Sequence, residues 1–242
     1  MKFIIIFLIF SDICRAEMYQ FVSINYLIEQ EIGRIVLPKI YDNLGIDIKI
    51  VPLPGKRAQF EATTGISDGE IMRIFSYGEE NPTTHRVPTP YYYLETMAFI
   101  KKDSGVKIRD RQDLSKYRIA KVRGVKHTNN ITKGLTQVSD FNTTKQIMMF
   151  VALGRADVAL TNKIDGLMVL KQFGIDNIVP AGKPLATLDL FNYIHQDHKA
   201  IIPRVDSMIK KMKESGELAR IIKNAEKGII LKKITDIQLN SN

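Results

Sequence analysis

The chain has no Trp and a single Cys, Cys14, in 242 residues. One thiol cannot make an internal disulfide or a thiolate zinc site. Long apolar runs are missing too. The longest, Phe3 to Phe10, is well short of the roughly 18 residues that suggest a membrane span. No Gly-x-Ser-x-Gly elbow and no Gly-x-x-x-x-Gly-Lys phosphate loop occurs. His is scarce: His85, His127, His195 and His198. The one cluster, His195-Gln196-Asp197-His198, matches no usual metal spacing, so neither a metal nor another cofactor is expected. No repeat of fixed period is visible. What remains is an ordinary globular composition, 45% apolar and 25% charged, with a formal charge of +9.

The N-terminus combines Lys2, the apolar run and the exit Ser11-Asp12-Ile13-Cys14-Arg15-Ala16. A cation, a short apolar stretch and a small-x-small exit form a secretory signal peptide pattern. Cys14 and Ala16 would stand three and one residues before the cut. A lipid anchor on Cys14 wants a small residue before it, and Ile13 is not small; a buried N-terminal strand is the other alternative. Cleavage after Ala16 removes Lys2, Arg15 and Asp12, which lowers the balance by one to +8. It also removes the only Cys. An exported, periplasmic protein stabilised by its core alone is expected. Lys210-Lys211-x-Lys213 reads as a solvated helix face, so nucleic acid is not an expected partner.

Periodicity organises the rest. Tyr19 to Ser23 can form a strand. Ile28, Ile32, Ile35, Val36, Ile40 and Leu44 form one helical face that stops at Gly45, with a kink or a restart expected at Pro38. Ile46 to Val51 alternates as a strand, and Pro52 to Pro54 reads as a loop. Gly55 to Thr64 reads as a short helix and Asp68 to Ile74 as a strand. Strand–helix–strand–helix–strand is the signature of a parallel sheet covered by helices. Gly78 to Pro90 reads as a long loop, Leu94 to Ile100 as a strand and Lys101 to Val106 as a polar linker. A second alternating block follows: strands at Arg118–Val122, Gln137–Phe141 and Asp157–Thr161, with helices after Gly124, at Thr143–Leu153 and at Lys163–Phe173. Phe191 to His195 is strand-like and can cross back to the first block. Two apolar helical faces separated by Gly216 close the chain.

This order of elements resembles the periplasmic solute-binding proteins of the polar amino-acid type, the bacterial extracellular solute-binding family 3. The resemblance spans roughly residues 19 to 228. It is carried by Asn43-Leu44-Gly45, by Gly65-Ile66-Ser67-Asp68-Gly69-Glu70 and by Arg86-Val87-Pro88-Thr89-Pro90-Tyr91-Tyr92. It is carried also by Asp113-Leu114 with Arg118-Ile119-Ala120-Lys121-Val122-Arg123-Gly124, and by the segment Leu153 to Thr161. The resemblance implies an α/β, two-lobed periplasmic binding protein type II fold. Each lobe would be a mainly parallel sheet flanked by helices, and two hinge crossovers would join them. Lobe one would comprise 17–102 and 194–242, and lobe two 103–193, after a signal peptide at 1–16. Ligand would bind between lobes that close by a hinge motion. The implied partner of this monomer is an ABC importer permease or a membrane sensor. A few proteins of this fold are enzymes, such as cyclohexadienyl dehydratase, and Glu70 would be the nearest acid for such chemistry.

Ligands of open α/β sheets sit beyond the carboxyl ends of the strands. That rule selects Tyr26 after the first strand, Arg57 after the second and Arg73 at the end of the third. In the second block it selects His127 and Thr128, where a strand enters a helix, and Asn162 at the end of a later strand. Tyr91, Tyr92 and Tyr93, beside Pro90, offer faces for stacking, with Tyr91 the chosen candidate. Arg73 and Arg57 can clamp a carboxylate with two parallel hydrogen bonds. In many family members one lobe-one Arg does this, within a stretch that corresponds here to Pro82–Arg86, where Arg86 stands too close to Pro90 to align. The Asn162 position is commonly an Asp that takes an α-ammonium. An amide lacks that charge, so a small polar ligand with an anionic group and no strong cationic one is expected, with Asp165 a substitute carboxylate one turn on.

Overall fold

The computed structural model describes residues 18–25 and 27–240, with side chains to 232. The signal-peptide expectation and Tyr26 therefore lie outside the described residues. Strand β1 (Met18–Ile24) leads into α1 (Ile28–Asp42), β2 (Asp47–Leu53), α2 (Gly55–Thr63) and β3 (Gly69–Ile74). A single turn, α3 (Tyr77–Glu80), and the short β4 (Thr84–Arg86) precede β5 (Tyr92–Lys101). After a 3-10 turn at Arg111–Lys116 come β6 (Ile119–Val122), α4 (Lys126–Thr132), β7 (Val138–Phe141) and α5 (Thr144–Ala152). Then follow β8 (Val158–Asn162), α6 (Lys163–Gln172), β9 (Ile178–Pro180), β10 (Ala186–His195), α7 (Ile202–Glu214) and α8 (Glu217–Asn240).

The strands run in the order β2-β1-β3-β10-β5-β8-β6-β7, with β4 on β10 and β9 on β5. β1 is parallel to β2 and β3, and β6 is parallel to β7 and β8. Between these two parallel groups stand the antiparallel β5 and β10. Each divides its length. β5 pairs with β10 through Tyr92–Thr96 and with β8 through Thr96–Ile100. β10 pairs with β5 through Ala186–Leu190 and with β3 through Leu190–Ile194. Two α/β groups thus share two crossover strands.

The apolar stripe of α1 is buried at Ile28, Ile32, Val36, Leu37 and Ile40. Ile35, expected in that stripe, is 43% exposed, because Val36, Leu37 and Ile40 draw the buried arc to the other side. α1 continues through Pro38 as one helix and does not restart. The buried residues either side of Pro38 offset the hydrogen bond it removes. β2 likewise runs through Pro52, which was expected in a loop. It is the sheet's edge strand, where half the N–H groups have no partner to lose. The expected loop at 78–90 holds α3 and β4. Three residues are too few to show a period, and β4 is fixed by pairing with β10. The same brevity hid β9. Lys210, Lys211 and Lys213 are exposed on α7, as a solvated face requires.

Two glycines are dictated by packing. A Cβ on Gly166 of α6 would lie 2.2 Å from the Phe99 ring of β5, so this glycine lets the helix sit on the crossover strand. Gly69 has φ +151°, and a Cβ there would lie 2.0 Å from the Tyr193 carbonyl oxygen. Backbone cannot step aside as a side chain can. Gly69→Ala is expected to cost at least about 3 kcal/mol by urea denaturation. Gly154→Ala, at φ +71° in open space, should cost only the roughly 1–2 kcal/mol of left-handed strain.

Candidate functional site

The carboxyl ends of both parallel groups meet at a common boundary. From the first group come the turn after β1, the start of α2 and the segment from Ile74 to Glu80. From the second come the start of α4 and the junction of β8 with α6. Polar contacts cross the boundary. Lys126 Nζ lies 2.6 Å from Glu80 Oε1, between exposed side chains. Asn162 Nδ2 donates to Glu29 Oε2 at 3.2 Å.

Arg73 owes its place to an irregularity in β3. Arg73 stands opposite Phe191 and Glu70 opposite Tyr193, so β3 takes three steps where β10 takes two. A regular pleat would put Glu70 and Arg73 on opposite faces, and the extra residue brings them to one. The Arg73 guanidinium then donates to both oxygens of Glu70, through Nε and through Nη2, the latter at 3.0 Å. Nη2 also reaches the Gly55 carbonyl at 3.3 Å, and the guanidinium carbon lies 4.8 Å from the Tyr77 ring centroid. The Tyr77 hydroxyl donates to Glu70 as well, and this carboxylate with burial raises the phenol's pKa. Glu70 is 1% exposed and is fixed from two sides, by Arg73 and by Tyr77.

The other candidates separate. Arg57 is in the first turn of α2, 68% exposed, and its Nε bonds Glu61 at 2.8 Å. Tyr91 is a core residue whose hydroxyl donates to the Ile71 carbonyl at 2.7 Å, so it presents no face to a ligand. Burial of a bulky ring beside β5 prevailed over the exposed position that Pro90 suggested. Tyr92 donates to Glu226 of α8 at 2.9 Å, whereas Tyr93 is half exposed. Arg86 is held over Phe75, 3.5 Å from the ring centroid, and near Phe191. Thr128 is buried and its hydroxyl bonds Val125. His127 Nδ1 pairs with the Thr96 hydroxyl of β5 at 2.8 Å, and desolvation lowers its pKa to about 4. Asn162 Oδ1 accepts from the Ile164 amide at 2.9 Å and so caps α6. Asp165 accepts from Thr161 at 3.1 Å, below the Asn162 cap.

Glu29 was missed from sequence. Desolvation first, then the Asp165 charge, push its pKa up to about 7, opposed by a backbone amide and by Asn162. The signal was present: 29, 33, 36 and 40 share the inward side of α1, and a carboxylate on an inward stripe needs a reason. A cavity of about 190 Å³ lies beside this group, lined by Tyr93, Glu95, Asn162, Lys163, Ile164 and Glu226. Glu226 of α8 forms part of its wall, and neither Arg73 nor His127 lines it.

Two α/β lobes, two crossover strands and facing strand ends define the type II periplasmic binding protein fold. Solved structures agree. A Wolinella succinogenes protein described as the binding component of an ABC transporter, complexed with lysine, is similar at TM-score 0.69 and 16% identity. That match covers 87% of this chain and 95% of the other. A histidine kinase sensor domain with similarity to periplasmic binding proteins gives TM-score 0.67 at 15% identity over 87% and 95%. The BvgS VFT2 domain of Bordetella pertussis gives 0.67 at 15% over 86% and 92%. At such identities the likeness establishes the fold. An uncharacterized protein of Shewanella oneidensis is 27% identical over 191 residues, 76% of this chain and 71% of that protein. No family model matches the chain.

The His127 pKa, lower folded than the ordinary 6.5, has a definite sign. Between these values the unfolded chain takes up a proton that the folded one refuses, so stability is full above pH 6.5 and falls toward pH 4. The NMR titration of His127 should show neutral imidazole at pH 6, and His127→Gln should flatten the acid loss of Tm over that interval.

Proposed function

We propose that this chain is an exported solute-binding protein. It captures a small polar solute between two lobes and presents it to an ABC importer or a membrane sensor. The observation that carries this is the meeting of both sets of strand ends, bridged by Glu29–Asn162 and Glu80–Lys126. Lobe one would be 17–102 with 194–242 and lobe two 103–193, the whole acting as a periplasmic monomer after cleavage at Ala16.

The solute carries an anionic group, met by the part of the Arg73 guanidinium that Glu70 leaves open. Arg57, paired and mostly exposed, has a weaker case. Asn162 lacks a charge, but Glu29 brings a carboxylate to it from the facing lobe, so amino acids return to the candidate class. The pKa of Glu29, pushed up to about 7, also suits proton transfer near neutrality, which keeps a cleft enzyme as the second reading. Turnover of a bound compound would decide for it.

The test is a thermal-shift screen of refolded protein against amino acids, dicarboxylates, aromatic acids, small peptides and polyamines. Ligand at 100 times its Kd adds roughly 2.7 kcal/mol, about 5–10 °C here. At least one carboxylate-bearing compound should give such a shift, and Arg73→Ala should abolish it. A shift that survives in Arg73→Ala would remove Arg73 from the site. Shifts from carboxylate-free compounds alone would overturn the anionic-group reading.

A further inference from the structure

The Glu29–Asn162 contact joins two elements that the hinge would separate. Glu29 is in the first turn of α1, on its inward side, and Asn162 ends β8. Unlike Glu80–Lys126, whose two side chains are exposed, this contact is largely withdrawn from solvent: Asn162 is buried and Glu29 half-buried. The groups facing Glu29 are almost all acidic or neutral. Glu31 follows it on α1, and Asp165 faces it from α6. Tyr92 faces it from β5, with Glu226 of α8 bonded to the same phenol. Lys163, the cation of that corner, is bonded to Glu95 at 2.7 Å. Among the described residues no cation pairs with Glu29.

Resting on the two-lobed reading above, we propose that Glu29 is a proton-operated latch: protonated it holds the lobes together at Asn162, and ionised it drives them apart. The physical reason is differential solvation. In the closed arrangement an ionised Glu29 is desolvated and repelled by Asp165, while opening returns it to water. A neutral carboxyl still accepts the Asn162 hydrogen bond without either cost. A pKa near 7 in the closed form, against an ordinary 4.5, sets the sign. The closed form holds the extra proton between these values. Closure is therefore favoured below about pH 4.5 and weakens progressively up to pH 7, by up to on the order of a hundredfold in the closing equilibrium.

The experiment needs no solute. The radius of gyration of the chain is measured by small-angle X-ray scattering at pH 4.5, 6 and 8.5 and constant ionic strength, with circular dichroism as the control for folding. The wild type should expand as pH rises, and Glu29→Gln should stay compact throughout. Asp165→Asn, which removes the repelling charge, should keep the transition and move its midpoint to lower pH. An invariant wild type, or a Glu29→Gln that expands like it, would overturn the latch. An Asp165→Asn midpoint unchanged from wild type would overturn the electrostatic account of it. A pH response without solute binding would sink the proposed function alone, and binding without a pH response would sink the latch alone.

Discussion

Everything in this molecule hangs on the divided pairing of β5 and β10. Each strand is too long for one parallel group and is split near its middle, at Thr96 in β5 and at Leu190 in β10. Two sheets that would otherwise have facing edges are joined without a free edge between them. The same split brings Asn162 level with Thr96, and Thr96 carries His127 of α4. The hinge and the second lobe's contribution to the cleft are therefore one hydrogen-bonded unit. Phe99 anchors that unit against Gly166, at a spacing that admits no side chain.

The first lobe contributes differently. Its polar groups are organised by one extra residue in β3, which puts Glu70 and Arg73 on the same face and lets Tyr77 complete the cluster. Gln30 reinforces it from α1, accepting from the Ile24 amide and donating to the Met72 carbonyl at 2.7 Å. The guanidinium is thus held by a buried carboxylate and a ring. Losing one partner of such a pair would leave a buried charge uncompensated, which is costlier than the pair is stabilising. The boundary between the two groups thus has a fixed cation on one side and a half-buried acid bonded to an amide.

Most elements were legible in the sequence because their periods were long enough to read. α1, α2, α5, α6 and the strands β1, β3, β6 and β8 fall where the apolar spacing put them, within a residue or two. β4 and β9 did not, since three residues have no period and exist only through a partner strand. Pro52 misled because the cost of a proline in a strand depends on whether the strand is at an edge, which spacing does not state. The strand-end rule offered Tyr26, Arg57, Arg73, His127, Thr128 and Asn162, and of these His127 and Asn162 lie at contacts between the two α/β groups. Tyr91, chosen for its place beside Pro90, has its ring in the core. The rule overlooked Glu29 in the first turn of α1, because its choice after β1 fell on Tyr26.

The sequence by itself determined the two alternating α/β blocks, the return strand near Phe191 and the type of fold they build, because periodicity and chain order are local or additive properties. Only the tertiary structure decided what each polar group touches. That Glu70 occupies Arg73 depends on a bulge, which is a mismatch between two strands and belongs to neither sequence segment alone. That Glu29 meets Asn162 depends on two residues 133 positions apart being brought to one boundary. The charge state of a carboxylate there is set by the water it has lost and the neighbours it has gained, and both are properties of the assembled fold.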